Sequence, residues 1–174
     1  KDILFPKTEK MYSYKTGDDA EISEIVESPA RAVFGLRPCD ARSIECMDSM
    51  FIREGYRDSF YARRRERCLI IAVSCPGAGE SCFCEAMGID PNAAPGADIF
   101  LSDRGESFAV FAQTDAGRAE LERWSKYLVP GESAGRTETH CSLHPKMSPE
   151  LGARLEKMFN DDEFWTEVSA PCYH

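Results

Sequence analysis

Cysteine is the residue type with the most distinctive chemistry in this sequence of 174 residues. The eight cysteines stand at positions 39, 46, 68, 75, 82, 84, 141 and 172. Four of them stand out by their placement: Cys39 and Cys75 lie next to Pro at the ends of predicted strands, and Cys82 and Cys84 lie in a predicted glycine-rich loop. Four thiolates from three chain segments suit a closed cage around either a structural zinc ion or an iron–sulfur cluster. The spacing predicts a metal site without distinguishing between the two metals.

The other cysteines have plainer interpretations. Cys46 and Cys68 fall in a predicted helix and a predicted strand beside apolar residues, where a free cysteine packs as a small hydrophobe. Cys141 lies between two histidines, but no second ligand pair with the spacing of a metal site accompanies it. A reactive Cys39 thiolate at a helix N-terminus is a further alternative, which the absence of a nearby histidine weakens.

Two predicted strands place Cys39 and Cys75 at one edge of a sheet. The apolar run 31–36 ends just before Arg37-Pro38, and the apolar run 68–74 ends directly before Cys75. Helical patterns between the two strands indicate a right-handed crossover, which makes the strands parallel. The carboxyl ends of parallel strands share one edge, and this edge is where α/β folds build their sites. The glycine-rich loop 75–88 then returns over this edge with the two remaining thiols.

Helices and a hairpin complete the predicted scaffold. The helix 40–51 has Asp40 as its N-cap and an apolar face of Ile44, Met47 and Phe51. The other predicted elements are a polar helix over 58–67, a hairpin of strands 97–101 and 107–112, a helix over 115–128, a loop over 130–147, and helices over 151–159 and 161–168. We therefore predict an α/β fold, with a small, partly parallel sheet, flanking helices and a C-terminal helical segment, as a single domain over residues 1–168.

Charge and composition exclude several classes of function. A net charge of −9 argues against a nucleic-acid-binding surface. No apolar run approaches the roughly 20 residues that a membrane span requires. The sequence contains no glycine-rich nucleotide fingerprint, no phosphate loop and no nucleophile elbow, so we predict no catalytic residue. One basic run, Arg63-Arg64-Arg65 with Arg67, is interpreted either as a solvated helix end or as a docking patch for an acidic partner.

Several motifs resemble one known family. They are the runs 34–42 (FGLRPCDAR), 61–66 (YARRRE), 82–84 (CFC) and 96–99 (GADI), together with the opening 3–9 (ILFPKTE). This combination resembles the beta subunit of the nickel–iron hydrogenase/sulfur reductase family, which is related to anaerobic sulfite reductase. The resemblance spans most of the chain.

The resemblance implies a [4Fe-4S] cluster on Cys39, Cys75, Cys82 and Cys84 and a cytoplasmic role in one-electron relay within an anaerobic oxidoreductase complex. It implies partner subunits that bind flavin or nicotinamide, and a hydrogenase or reductase catalytic subunit. In the family, a ferredoxin-like domain with two further [4Fe-4S] clusters follows a domain like this one. We therefore expect residues 169–174 to be the start of a truncated ferredoxin-like domain, with Cys172 as its first cluster ligand.

Two questions remain open from the sequence. The alternative to electron relay is a zinc-stapled structural or interaction module that holds partner subunits together. Arg37, next to Cys39, either raises the reduction potential of a cluster or forms a salt bridge to Asp40 or another acid.

Overall fold

The computed structural model describes residues 2–17, 21–25, 28–77, 79, 82–84, 87–131 and 149–160. The first half contains β1 (Tyr12–Lys15), β2 (Glu21–Glu24), β3 (Arg31–Leu36), α1 (Pro38–Phe51), β4 (Ile52–Arg53), β5 (Tyr56–Arg57) and α2 (Ser59–Glu66). The elements that follow are β6 (Cys68–Val73), β7 (Ile99–Asp103), β8 (Phe108–Ala112), α3 (Asp115–Arg123), a 3₁₀ turn (Ser125–Tyr127) and α4 (Pro149–Asn160).

A four-stranded sheet in the order β3–β6–β7–β8 forms the centre of the fold. The strands β3, β6 and β7 are parallel, and β8 returns antiparallel to β7 as a hairpin. The register of β3 on β6 shifts between Phe34 and Leu36, where Gly35 has a φ of +82°. Glycine adopts this conformation without a steric penalty. The observed architecture confirms the predicted α/β fold with a partly parallel sheet and flanking helices.

One face of the sheet carries the main hydrophobic core, which α1 and α2 cover. Ile44 is buried, and Met47 and Phe51 pack against the core, as the periodicity of α1 predicts. Tyr61 of α2 is fully buried and donates a hydrogen bond of 2.6 Å to Asp48 of α1. Burial and this hydrogen bond raise the pKa of Tyr61, so its hydroxyl remains a donor at neutral pH. This bond links the two helices beneath the sheet.

A buried carboxylate, Asp98, joins three elements at the start of β7. It accepts a hydrogen bond of 2.8 Å from the Ile70 N–H on β6 and another of 2.8 Å from the Thr114 hydroxyl. Thr114 is the N-cap of α3 and accepts the Gly117 N–H at 3.1 Å. A Cβ at Gly117 would lie 2.1 Å from the Asp98 carbonyl oxygen, so only glycine permits α3 to approach the sheet this closely.

The basic run of α2 forms internal ion pairs. Arg64, whose side chain is only 9% exposed, donates a hydrogen bond of 2.7 Å to the Leu4 carbonyl and pairs with Glu9. Arg65 pairs with Asp48 at 3.0 Å. Two of these arginines therefore hold the N-terminal segment and α1 against α2, so the prediction of a solvated, exposed helix end is wrong for them.

Other local predictions also need correction. The helix α1 begins at Pro38, so Asp40 is not its N-cap but a first-turn residue whose carboxylate accepts the Arg37 N–H at 3.2 Å. Cys46 is exposed, because it lies two residues, or roughly 200° around the helix, from Ile44. The prediction that Cys46 packs in the core is wrong, while Cys68 is buried as predicted.

Some element boundaries differ from the sequence prediction or lie outside the described residues. The helix α3 ends at Arg123 and a 3₁₀ turn follows, so the predicted helix over 115–128 is too long. The predicted helix over 161–168 and nearly all of the predicted loop over 130–147 lie outside the described residues. The hairpins β1–β2 and β4–β5 were not predicted. None of the described helices has the length and apolar character needed to cross a membrane.

Candidate metal centre

Cys39 and Cys75 lie at the carboxyl edge of the parallel sheet. Cys39 is the second residue of α1, which begins two residues after the last residue of β3, and one residue separates Cys75 from the end of β6. That residue, Ser74, donates its N–H to the Leu101 carbonyl at 2.8 Å and accepts the Asp103 N–H at 2.9 Å. These bonds hold the end of β6 against β7, which fixes where the chain leaves the sheet towards Cys75.

The first turns of α1 are held by the segment 94–97, which enters β7. Ala41, Ala94 and Ala97 are fully buried at this junction. A Cβ at Gly96 would lie 2.6 Å from Cγ of Glu45 and 2.8 Å from the Ala41 carbonyl oxygen. Small residues therefore let the chain cross α1 closely, and the helix end that carries Cys39 is positioned by tertiary packing.

Backbone hydrogen bonds fold the cysteine loop back onto the sheet edge. The Cys75 N–H donates to the Pro91 carbonyl at 3.0 Å, and the Ile89 N–H donates to the Cys84 carbonyl at 2.9 Å. The sulfur of Cys82 accepts the Gly79 N–H at 3.1 Å, while the Cys75 thiol donates to the Gly77 carbonyl at 3.3 Å. The sequence pattern did not identify these backbone partners, although the glycines of the loop were a signal for close backbone approach.

The Cys84 thiol lies near the thiols of Cys39, Cys75 and Cys82. Its pKa is raised first by burial, then by the charge of the Cys39 thiol and a hydrogen bond with it, and further by Cys82 and Cys75. Like charges close together disfavour ionisation of each other. The thiols of Cys39, Cys75 and Cys82, from three separate segments of the chain, thus all lie near enough to Cys84 to affect its pKa.

A cation can stabilise neighbouring thiolates. Without a cation, each thiolate opposes the formation of the next, whereas a bound metal neutralises them and requires their deprotonation. Cys75 is buried and the three other thiols are half-buried, which limits competition from water. As they stand, no three Cys, His, Asp or Glu side chains within the described part of the chain are placed to hold a metal ion.

We expect the raised pKa of Cys84 to be measurable in the metal-free, reduced chain. A raised pKa lowers the thiolate fraction at any given pH, and the thiolate is the species that reacts with iodoacetamide. The alkylation rate of Cys84, assigned to the residue by tandem mass spectrometry, should therefore reach half of its maximum above the pH of about 8.5 that is typical of a free cysteine. A midpoint at or below that pH would contradict the burial of Cys84 and its proximity to the other thiols.

The remaining cysteines lie outside this neighbourhood or outside the described residues. Cys46 lies on the exposed side of α1, and Cys68 is buried at the start of β6, where burial raises its pKa. Cys141 and Cys172 are outside the described residues, so the candidate histidine-flanked site and the orphan cluster ligand stay predictions. Arg37 has no ion pair within the described residues, and Asp40 instead accepts its backbone N–H.

The fold and the site define a mixed α/β domain with four neighbouring thiols at the carboxyl edge of a parallel sheet. Over 90 residues, the chain is 32% identical to sulfhydrogenase 2 subunit beta from Pyrococcus furiosus, and this match covers 52% of the chain and 26% of that subunit. The chain is thus a partial homologue of a hydrogenase-type beta subunit, of whose length it matches about a quarter. No protein-family model and no solved structure matches the chain.

Proposed function

We propose that this chain is a cluster-bearing part of an electron-transfer subunit in an oxidoreductase complex of the hydrogenase/sulfur reductase or sulfite reductase type. The observation that carries the proposal is the shared neighbourhood of Cys84 with Cys39, Cys75 and Cys82 at the sheet edge. The partial similarity to a sulfhydrogenase beta subunit supports a redox role.

Four thiols are the donor set that a [4Fe-4S] cluster takes, so the residues fit this cofactor. Cys39 would be contributed by the first turn of α1, Cys75 by the end of β6, and Cys82 and Cys84 by the loop that follows. A [4Fe-4S] cluster supplies the capacity to accept and release one electron at a time. With a cluster bound, the protein's own contribution is to hold the thiolates, restrict water and set the reduction potential.

Two features of this chain would tune that potential. The Gly79 N–H already donates to the Cys82 sulfur at 3.1 Å, and such bonds stabilise negative charge on a ligating thiolate. The N-terminus of α1, whose first turn contains Cys39, carries the positive end of the helix dipole. Both features stabilise the more negative, reduced state and therefore raise the potential.

The zinc-stapled module is the second candidate, because four thiols also make a closed zinc site. The choice of iron is supported by the similarity to the sulfhydrogenase subunit, since thiol chemistry alone accepts either metal. We further propose that residues 169–174 begin a ferredoxin-like domain with Cys172 as a ligand, and that the partners are subunits that bind flavin or nicotinamide or that carry the catalytic centre.

Anaerobic reconstitution tests this proposal. The reduced chain is incubated with ferrous iron and sulfide, or separately with zinc, and freed of unbound metal. We expect a brown protein with about four irons per chain, matching one [4Fe-4S] cluster, and with the visible absorption of such a cluster. A colourless protein that binds stoichiometric zinc and no iron would overturn the electron-relay function in favour of the structural module.

A further inference from the structure

A cleft of about 700 Å³ opens at the amino edge of the sheet, opposite the edge that carries the thiols. Ala32 of β3 and Leu69 of β6, which are neighbours in the parallel register, line the cleft on the side of the sheet. Ala116 and Ala119 of α3, together with Trp124 at the end of that helix, line the facing side. We call this space the amino-edge cleft. Its volume lies in the range of about 300–1,000 Å³ that is typical of ligand-binding pockets.

The cleft exists because α3 covers only part of its face of the sheet. Val33 and Ile70 face the main core beneath α1 and α2, so Ala32 and Leu69, which alternate with them, lie on the opposite face. On that face α3 packs against β8. Phe34, two residues along β3 from Ala32, is 71% exposed. Parallel strands are usually covered on both faces, so the open face over β3 and β6 favours an apolar occupant.

The acidic side chains that line the cleft already have partners. Glu66 forms an ion pair with Arg57, and Glu120 forms one with Arg123 at 2.7 Å. The carboxylate of Asp98, which is buried, accepts hydrogen bonds from a backbone N–H and from a hydroxyl. These pairings reduce the negative charge that the cleft presents to a ligand.

Two arginines of the lining, Arg31 and Arg67, provide positive charge. Both are exposed, and neither forms an ion pair with any residue that the structure describes. The Arg31 N–H donates to the Arg67 carbonyl at 2.9 Å, which holds the two residues side by side, and the Arg31 guanidinium donates to the Ile3 carbonyl at 3.0 Å. A third arginine of the lining, Arg65, pairs with Asp48 at 3.0 Å. The cleft therefore combines an apolar surface with a preference for an anionic ligand.

The chain itself contains a segment of matching chemistry. Residues 161–168 are Asp-Asp-Glu-Phe-Trp-Thr-Glu-Val, where the only run of three consecutive acidic residues in the sequence is followed at once by Phe164 and Trp165. This segment lies outside the described residues and begins directly after α4. Residues 132–148, which separate Gly131 from α4, span up to roughly 3.3 Å each. They are therefore long enough to lead across the four strands of the sheet, which lie about 4.8 Å apart.

We propose that the amino-edge cleft binds segment 161–168 of the same chain, with the two aromatic side chains on the apolar surface and the acidic run against Arg31 and Arg67. Aromatic side chains supply much of the binding energy in such contacts, and charge complementarity fixes the register. Because the cleft and the segment belong to one chain, their effective concentration is on the order of millimolar, so weak contacts are sufficient. Docking of this kind needs no bound metal and is independent of the proposed function.

Fluorescence quenching tests this docking. The chain contains two tryptophans, so Trp124→Phe, which keeps an aromatic ring in the cleft, leaves Trp165 as the reporter. Acrylamide, which quenches exposed tryptophan, is titrated into the reduced, metal-free full chain and into a synthetic peptide of residues 161–168. We expect a clearly lower quenching constant in the chain than in the peptide. The constant of the chain should rise in 1 M salt, where the Debye length is only about 3 Å.

Two further substitutions in the Trp124→Phe chain should release the segment by different routes. Arg67→Glu replaces an attraction with a repulsion between like charges, so the quenching constant of Trp165 should rise by about twofold or more. Ala119→Phe fills the cleft without changing its charge and should raise the constant in the same direction. Both positions are exposed, so we expect the fold to be kept, which circular dichroism checks.

Arg63→Glu is the matched control for Arg67→Glu. Arg63 belongs to the same basic run, but it pairs with Glu24 at 3.7 Å and does not line the cleft. Its reversal should leave the quenching constant of Trp165 unchanged. Equal increases in the Arg63→Glu and Arg67→Glu chains would show a response to net charge alone and would overturn the docking.

The remaining outcomes identify other occupants of the cleft. If Trp165 is quenched equally in the chain and in the peptide, the segment is not docked, and the cleft is left to an acidic partner. Protection of Trp165 that neither Arg67→Glu nor Ala119→Phe alters would place the segment elsewhere and also overturn the proposal. In sedimentation velocity we expect a monomer, and a dimer whose dissociation exposes Trp165 would assign the cleft to a second copy of the chain instead. A failure to take up iron would leave this docking unaffected, so the two proposals fail separately.

Discussion

The substitution Cys84→Ala should remove most of the iron that the wild-type chain retains after reconstitution. Cys84 is the thiol whose pKa responds to all three of Cys39, Cys75 and Cys82, so it lies within the group. Loss of a ligand should weaken iron retention by more than about tenfold, since mutation of supporting residues around a metal site already costs about 10–100-fold. Iron analysis after desalting and the visible spectrum measure the effect.

Cys46→Ala is the matched control for this substitution. Cys46 is also a free cysteine of the described chain, but it is exposed on the side of α1 that does not face the core. The Cys46→Ala chain should keep its full iron content and spectrum. Full iron in the Cys84→Ala chain, with an unchanged spectrum, would remove Cys84 from the proposed ligands. Equal losses in both variants would show that the assay reports general damage to the protein.

Asp98→Ala should lower the free energy of unfolding of the metal-free chain by about 3 kcal/mol, the upper end for leaving a buried polar group unsatisfied. The carboxylate accepts the Ile70 N–H and the Thr114 hydroxyl, each at 2.8 Å. Its removal leaves the buried Ile70 N–H without its side-chain acceptor and loosens the N-cap of α3. Urea unfolding, followed by circular dichroism, measures the change in free energy. The two free energies can be compared if the m-value is the same for the variant and the wild-type chain.

Two control variants test whether the stability lost in Asp98→Ala arises from the loss of these hydrogen bonds. Asp98→Asn keeps one side-chain oxygen for the Ile70 N–H, so it should cost clearly less than alanine. Asp103→Ala removes an aspartate whose carboxylate accepts the Gly105 N–H, at 2.8 Å, in an exposed turn. It should cost less than about 1 kcal/mol, as surface substitutions commonly do. A loss at Asp98→Ala no larger than that at Asp103→Ala would contradict the bridging role.

Local sequence patterns were sufficient to predict the main elements of the sheet and of α1. The runs that became β3 and β6 are short, apolar and bounded by turn residues, and the face of α1 repeats at helical spacing. These patterns depend only on residues close together in the chain. The general handedness of crossovers is then enough to predict that Cys39 and Cys75 share one edge of the sheet.

The hairpins β1–β2 and β4–β5 could not be predicted in the same way. Every residue of β2 is exposed, so it lacks the alternation of apolar and polar residues that marks a half-buried strand. β4 and β5 contain only two residues each, which is too short for any periodic signal. Their pairing depends on contacts that the surrounding fold supplies.

The cysteines show which features of the site the sequence determines and which depend on the tertiary structure. The sequence by itself determined which thiols stand at loop and strand ends, because residue type and local periodicity mark those positions. Only the tertiary structure decided that Cys84 meets Cys39, that Cys46 faces solvent, and that Asp98 ties β6 to α3. The physical reason is that these contacts join residues that are far apart in the chain, and their geometry depends on how loops close and how helices pack against the sheet.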